Sequence, residues 1–358
     1  MALIIDGSRV PTRWAERNIL RKLRSMESIG PGAECVSIAF VNNMPDAALE
    51  DTEMQFFELL DAAASDLPVY LSLYSLSGVP RADRGQQHVS SFYRSTSELS
   101  NCQFDAVIIT GTEPRRPDLR NEPYWQALSG VLDWAESNTA STVLSCLAAH
   151  AGVLYSDGIS RRSLDDKQFG VFDFVKSVSH PLTVGTGERI RFPHSRWNEV
   201  PADALLACGY SVLTQSADAG VDSFVKKKKR SLFVHFQGHP EYGAQTLLKE
   251  YRRDIKRFLR NERETYPTMP KGYFDAAAGD LLTNFRDLVL SDRREELLTG
   301  FPETAVVGTL RKTWQSSATV IYRNWLQYVL MRKAETPGLA AAVRFGRATT
   351  IRINNEIA

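Results

Sequence analysis

The chain has 358 residues, 43% of them hydrophobic, with 43 basic residues against 42 acidic ones. A net charge of +1 gives no global attraction to nucleic acid or an anionic membrane, and no apolar run approaches the roughly 18 residues that span a bilayer. Four scattered cysteines without a CxxC pair (Cys35, Cys102, Cys146, Cys208) argue against a zinc ribbon or disulfide scaffold and for reduced thiols in a cytoplasm.

The length suggests two domains, or one with extensions. The start meets Asp6 after four apolar residues and does not read as a secretory signal. From about 9 to 30 the chain is polar and Arg-rich (Arg9, Arg13, Arg17, Arg21, Arg24) and closes at Gly30-Pro31-Gly32, which predicts an N-terminal arm with a short helix. CVSIAFV (35–41) then reads as a buried strand and Glu50 to Ala64 as a helix. VYLSLYSL (69–76) and FDAVIITG (104–111) are strands, Trp125 to Asn138 a helix, TASTVLS (139–145) a strand and LAAHAGVLY (147–155) a helix. This alternation predicts an α/β fold, a flavodoxin-like, mostly parallel sheet with helices on both faces. Ligands of such sheets gather at the carboxyl ends of the strands, here the loops after Val41, Thr110, Ser145 and Phe236. Residues 180–236 look strand-rich (LTVG, RIRF, SVLTQ, SLFVHF) and fit an antiparallel extension. Beyond about 265 the chain turns polar and helical, and AAAVRFGRATTIRINNEIA at its end has no core pattern.

Cys146 stands between a strand and a helix, among the small residues Ser145, Ala148 and Ala149. A nucleophile at such a turn projects from the sheet, and the helix N-terminus favours its thiolate. The N–H of Leu147 can form part of an oxyanion hole. The plain alternative is a buried structural cysteine. Directly after the strand SLFVHF comes Gly238-His239-Pro240-Glu241-Tyr242, a tight loop that offers a base and an orienting carboxylate. Cysteine at an elbow, followed some 90 residues later by His-x-Glu, is the order of class I glutamine amidotransferase-like domains. The other histidines read differently: His235 and His150 as packing, His88 and His180 as residues of polar loops. The run Lys226–Arg230 reads as a solvated hairpin tip, with a CoA phosphate or nucleic-acid patch as the lesser reading. No metal-ligand cluster is apparent, so no metal is expected.

FVNNMPDAALEDTEMQF (40–56), IITGTEP (108–114), STVLSCLAAHAGVLY (141–155), FPHSRW (192–197), GHPEYGAQTL (238–247) and TWQSSATVIYRNWLQYV (313–329) together resemble the homoserine O-acyltransferases, the succinyltransferase/acetyltransferase family that begins methionine biosynthesis on a glutamine amidotransferase-like fold. The resemblance runs from about residue 35 to 330, with a catalytic domain (35–265) and a helical segment packed on it (266–330); the sequence pattern outside it reads as an N-terminal arm (1–34) and a peripheral tail (331–358). It implies that Cys146 is acylated by an acyl-CoA, that His239 is the general base and that Glu241 orients it. Lys167 in DDKQFGVF would contact substrate, and Ser195 of PHSR and Arg253 of KEYRRD would hold the amino acid, Arg253 through its carboxylate. Homoserine and succinyl- or acetyl-CoA are the implied substrates, with no bound cofactor, no nucleic acid and no membrane; a homodimer fits the family.

Two departures stand out. Where the family commonly has Met-Pro-Lys-Lys, this chain has Met44-Pro45-Asp46-Ala47-Ala48; either backbone groups serve the oxyanion or Asp46 alters acceptor preference. In the loop that helps choose the acyl group, Arg115 and Arg116 stand where the family has a small residue or Glu. A cation there would pair with the distal carboxylate of succinyl-CoA and has nothing to bind in acetyl-CoA, which favours succinyl. The competing readings are another hydroxy amino acid as acceptor, a glutamine amidotransferase-like hydrolase and a non-catalytic binding protein.

Overall fold

The computed structural model describes residues 3–5, 11, 13–14 and 34–335. Most of the expected N-terminal arm and the tail beyond 335 lie outside the described residues; of the arm's short helix only Arg13 and Trp14 are described, and both are helical.

Two compact units are present, one formed by Met1–Val143, Lys227–Phe233 and Trp325–Ala358, the other by Leu144–Lys226 and Val234–Asn324. The chain runs β1 (Leu3–Ile5), β2 (Val36–Val41), α1 (Asp46–Ala64), β3 (Val69–Ser75), α2 (Asp83–Phe92), β4 (Arg94–Ser95), β5 (Ala106–Ile109), α3 (Trp125–Asn138) and β6 (Ser141–Ser145). It continues with α4 (Leu147–Asp157), β7 (Arg162–Lys176), β8 (Arg189–Glu199), α5 (Ala202–Ala207), β9 (Ser211–Ser216), β10 (Gly220–Lys228) and β11 (Ser231–Phe236). The last elements are α6 (Thr246–Leu259), α7 (Ala276–Ser291), α8 (Glu303–Val307) and α9 (Gln315–Ala334).

In the first unit the strand order is β1-β3-β2-β5-β6-β11, with β4 on β3. The pairs β1·β3, β2·β3 and β2·β5 are parallel. Every residue of β2, β3 and β5 is buried, as expected where helices cover both faces of a parallel sheet. Counted from β2, the order β3-β2-β5-β6-β11 is the flavodoxin-like 2-1-3-4-5. In the second unit the strand order is β10-β9-β7-β8, and β9·β10, β7·β9 and β7·β8 are antiparallel. The expected mostly parallel α/β sheet with an antiparallel extension is therefore present.

Several local expectations are corrected. α1 starts at Asp46 rather than Glu50: Pro45 ends the preceding loop, and Ala47 and Ala48 are strong helix formers. Leu182–Gly185 is not a strand. Pro181–Thr183 forms a 3₁₀ turn, capped by the His180 ring, which accepts from the Leu182 N–H at 3.2 Å. β7 and β10 lie outside the strands expected from the sequence, because charged residues open the one and close the other. The first half of β7, RSLDDK, is charged and interrupted by a register shift between Ser163 and Gln168. His88 lies on α2, not in a loop, with Nε2 2.6 Å from Glu53 Oε1. His235 is fully buried, stacked on Phe224 at 4.5 Å.

Candidate active site

The second unit carries the strand-to-helix turn. Cys146 links β6 to α4 with φ +54° and ψ −116°, a backbone region that costs a side-chain-bearing residue about 1–3 kcal/mol and persists only where its surroundings impose it. Here the Cys146 N–H donates to the Phe236 carbonyl at 2.8 Å, and the Cys146 carbonyl accepts from Ala149 N at 2.9 Å. The turn is pinned on both sides, with the thiol at the N-terminus of α4. Leu147 opens that helix, so its N–H has no intrahelical acceptor and is available to a developing oxyanion. α4 ends at Gly158, whose φ of +68° supplies the left-handed cap.

The Gly-His-Pro-Glu loop follows β11. His239 Nδ1 lies 2.8 Å from Glu241 Oε1, and the imidazole makes a side-chain hydrogen bond with Cys146. Both His239 and Glu241 are buried. Ser145 Oγ donates to Glu241 Oε1 at 3.4 Å, and the His239 N–H donates to the Pro193 carbonyl at 2.8 Å. Burial alone would lower the His239 pKa, but the sulfur of Cys146 and the carboxylate of Glu241 outweigh it and hold the imidazole well above its ordinary 6.5.

Two other buried imidazoles of this unit go the opposite way. Burial pushes His150 down to about 3 and His194 down to about 4, each opposed by its hydrogen-bond partner. His150 Nε2 is 3.0 Å from Gln237 Oε1. His194 lies 3.2 Å from Asp222 Oδ1, and its Nδ1 accepts from Arg196 Nε at 3.2 Å. Divergent environments of this kind separate a proton-carrying imidazole from those that only pack. Beneath the loop, Gln237 accepts from Val200 N at 2.7 Å and donates to Val221 O at 2.7 Å, while Asp222 Oδ1 accepts from Gly238 N at 3.1 Å. The arrangement is an elbow thiol, an imidazole and an orienting carboxylate, suited to nucleophilic acyl transfer.

Lys167, Ser195 and Arg253 converge on two acidic side chains that the sequence reading passed over, Glu250 and Asp254, one turn apart on α6. Lys167 Nζ is 3.1 Å from Asp254 Oδ2 and 3.7 Å from Glu250 Oε2. Arg253 is 3.1 Å from Asp254 Oδ1 and 3.9 Å from Glu250 Oε2. Ser195 Oγ donates to Glu250 Oε2. Burial works to raise the Asp254 pKa, but Lys167 and Arg253 prevail and hold it below its ordinary value. The signal for Glu250 was within KEYRRD, the motif already marked for Arg253.

Arg115 and Arg116 belong to the first unit. Both are exposed, and their backbone N–H groups donate to one oxygen of the buried Glu122, at 2.5 and 2.6 Å. Asp46, also in that unit, is engaged: Oδ2 accepts from Ala82 N at 2.7 Å, and Oδ1 faces Arg81 at 3.4 Å. Among the described residues no group of three or more His, Cys, Asp or Glu side chains could hold a metal ion, and no helix is long and apolar enough to cross a membrane.

A family model for homoserine O-succinyltransferase matches residues 10–336. A homoserine O-succinyltransferase of Rhodopseudomonas palustris is 43% identical over 294 residues, covering 82% of this chain and 88% of that protein. One of Methylorubrum extorquens is 42% identical over 297 residues, covering 83% and 88%. Among solved structures, a glutamine amidotransferase of Methylobacillus flagellatus matches 83% of this chain and 96% of its own at 14% identity and a TM-score of 0.46, a likeness too low to carry weight in the assignment. The family match and the relatives suffice: the chain belongs to the homoserine O-succinyltransferase family.

Proposed function

We propose that the chain transfers the succinyl group of succinyl-CoA to the hydroxyl of homoserine through a thioester on Cys146. The observation that carries this reading is the strained Cys146 turn hydrogen-bonded to the His239–Glu241 pair, in a chain whose curated relatives are named homoserine O-succinyltransferases. Cys146 Sγ attacks the thioester carbonyl, the Leu147 N–H stabilises the oxyanion, and the C–S bond to CoA breaks as His239 protonates the leaving thiolate. In the second half-reaction His239 takes the hydroxyl proton of homoserine, the freed oxygen attacks the acyl carbon, and the bond to Sγ breaks. Glu241 holds the imidazole tautomer that leaves Nε2 to the reacting atoms.

Lys167, Ser195 and Arg253 hold the acceptor in this reading, Arg253 as a fork for its carboxylate, and Arg115 or Arg116 pairs with the distal carboxylate of the succinyl group. The described cysteines are free thiols, which suits thiol catalysis by a cytoplasmic homodimer. Intact mass after mixing with succinyl-CoA tests the scheme: one adduct of about 100 Da, absent from Cys146→Ser, is expected. An adduct formed only with glutamine would instead support an amidotransferase-like hydrolase.

A further inference from the structure

Tyr242, the last residue of Gly238–Tyr242, has no part in the scheme above. Its ring lies flat on the imidazole of His239, with centroids 4.0 Å apart and planes 17° from parallel. Its phenol O–H donates to Glu250 Oε1 at 2.7 Å, and its carbonyl accepts from the indole N–H of Trp314 at 3.0 Å. Tyr242 is 7% exposed and Trp314 fully buried. The ring is thus held at both ends while it restrains the imidazole face that Glu241, bonded at the ring edge, leaves free to tilt.

Glu250 is the centre of the charged cluster. Its second oxygen accepts from Ser195 and faces Lys167 and Arg253. A single phenol ring therefore separates the cations read as acceptor ligands from the imidazole read as general base. Burial and the neighbouring Glu250 carboxylate keep the Tyr242 pKa well above its ordinary 10, so the O–H stays a donor across the working range. An amino acid that engages Lys167, Ser195 or Arg253 perturbs Glu250, and the hydrogen-bonded phenol passes that change to the stacked imidazole.

We propose that Tyr242 is a positioning residue that couples the Glu250 cluster to the orientation of His239, so that transfer to the acceptor depends on the Tyr242 hydroxyl more than acylation of Cys146 does. This rests on the reading of Cys146 and His239 as the catalytic pair.

The full-length enzyme is assayed in two half-reactions: the burst of CoA release from succinyl-CoA, and transfer from the preformed succinyl-enzyme to homoserine. Tyr242→Phe keeps the stacked ring and removes only the O–H. Loss of a hydrogen bond to a charged group should raise the homoserine KM roughly tenfold, while the burst slows by less than about threefold. Tyr242→Leu removes the stack as well, and the pH profile of the transfer step should shift where that of Tyr242→Phe does not. Glu250→Gln keeps an acceptor for the phenol but not its charge, and should reproduce the Tyr242→Phe split if the aromatic variants fold poorly. Equal slowing of both half-reactions in Tyr242→Phe and Glu250→Gln, or an unchanged homoserine KM, overturns the coupling. Absence of any succinyl adduct on wild-type Cys146 refutes the catalytic reading itself, and the coupling falls with it.

Discussion

Gly238→Ala tests how tightly the His239 loop is seated. A Cβ built on Gly238 would lie 2.5 Å from His194 Nε2 and 2.7 Å from Asp222 Oδ1, well inside van der Waals contact. Neither neighbour can withdraw easily. His194 and Asp222 are both fully buried; His194 lies against Phe174 at 5.1 Å and accepts from Arg196, and Asp222 accepts from Thr214 Oγ1 at 3.2 Å. The methyl must therefore break the buried His194–Asp222 contact or push the loop outward. Overpacking of this kind costs about 1–3 kcal/mol, and the upper end applies because the displaced atoms are polar and buried. Outward movement would also disturb the His239 N–H bond to the Pro193 carbonyl and shift the imidazole from Cys146, where a displacement of about 1 Å costs roughly a hundredfold in rate. Urea unfolding of both proteins, read as a change in midpoint at constant slope, gives the stability term, and steady-state succinyl transfer gives the rate term. A variant within about 0.5 kcal/mol of wild type that keeps full kcat/KM would refute the reasoning.

Cys146→Ser should fold normally and lose acyl transfer by many orders of magnitude; retention of more than about a tenth of wild-type kcat is incompatible with the thioester scheme. His239→Ala should slow both half-reactions more than Glu241→Ala does, because an imidazole without its orienting carboxylate still accepts a proton; the reverse ranking would exchange the assigned roles. His239 is held above its ordinary 6.5 against the effect of burial, so its contribution to stability is present below that value and fades as pH rises through the raised one. Glu241→Gln removes one of the raising charges, and the fade should begin at lower pH in thermal melts taken across pH; no movement would contradict the pairing. Arg115→Ala and Arg116→Ala should each be assayed with both donors, and at least one should reduce kcat/KM for succinyl-CoA roughly tenfold with acetyl-CoA held. An equal fall with both donors would remove the arginines from acyl selection.

What could be read from the sequence follows from how local the cause is. The elbow was legible because an apolar strand, a cysteine and small residues are contiguous, and α3 matched at both ends because its apolar spacing is regular from Trp125 to Asn138. The antiparallel strands were less legible. β7 opens with six residues of which four are charged, and it becomes apolar only near Phe169, after its register shift. Its partners, not its own pattern, make RSLDDK a strand.

The same distinction governs the site. Gly-His-Pro-Glu places base and carboxylate two residues apart, so one loop suffices to reveal them. The cluster around Glu250 is assembled from pairs 87 residues apart, Lys167 with Asp254, and 55 apart, Ser195 with Glu250. On a helix, an acidic residue next to Arg252 and Arg253 reads as part of a solvated face, and only the arrival of β7 and β8 turns it inward. Tyr242 was hidden for a related reason. An aromatic residue three positions after a histidine reads as packing, and its position between imidazole and carboxylate becomes visible only once α6 brings Glu250 to its hydroxyl. The atoms proposed as catalytic thus lie on short contiguous segments, whereas the residues read as holding the acceptor are brought together only by tertiary structure.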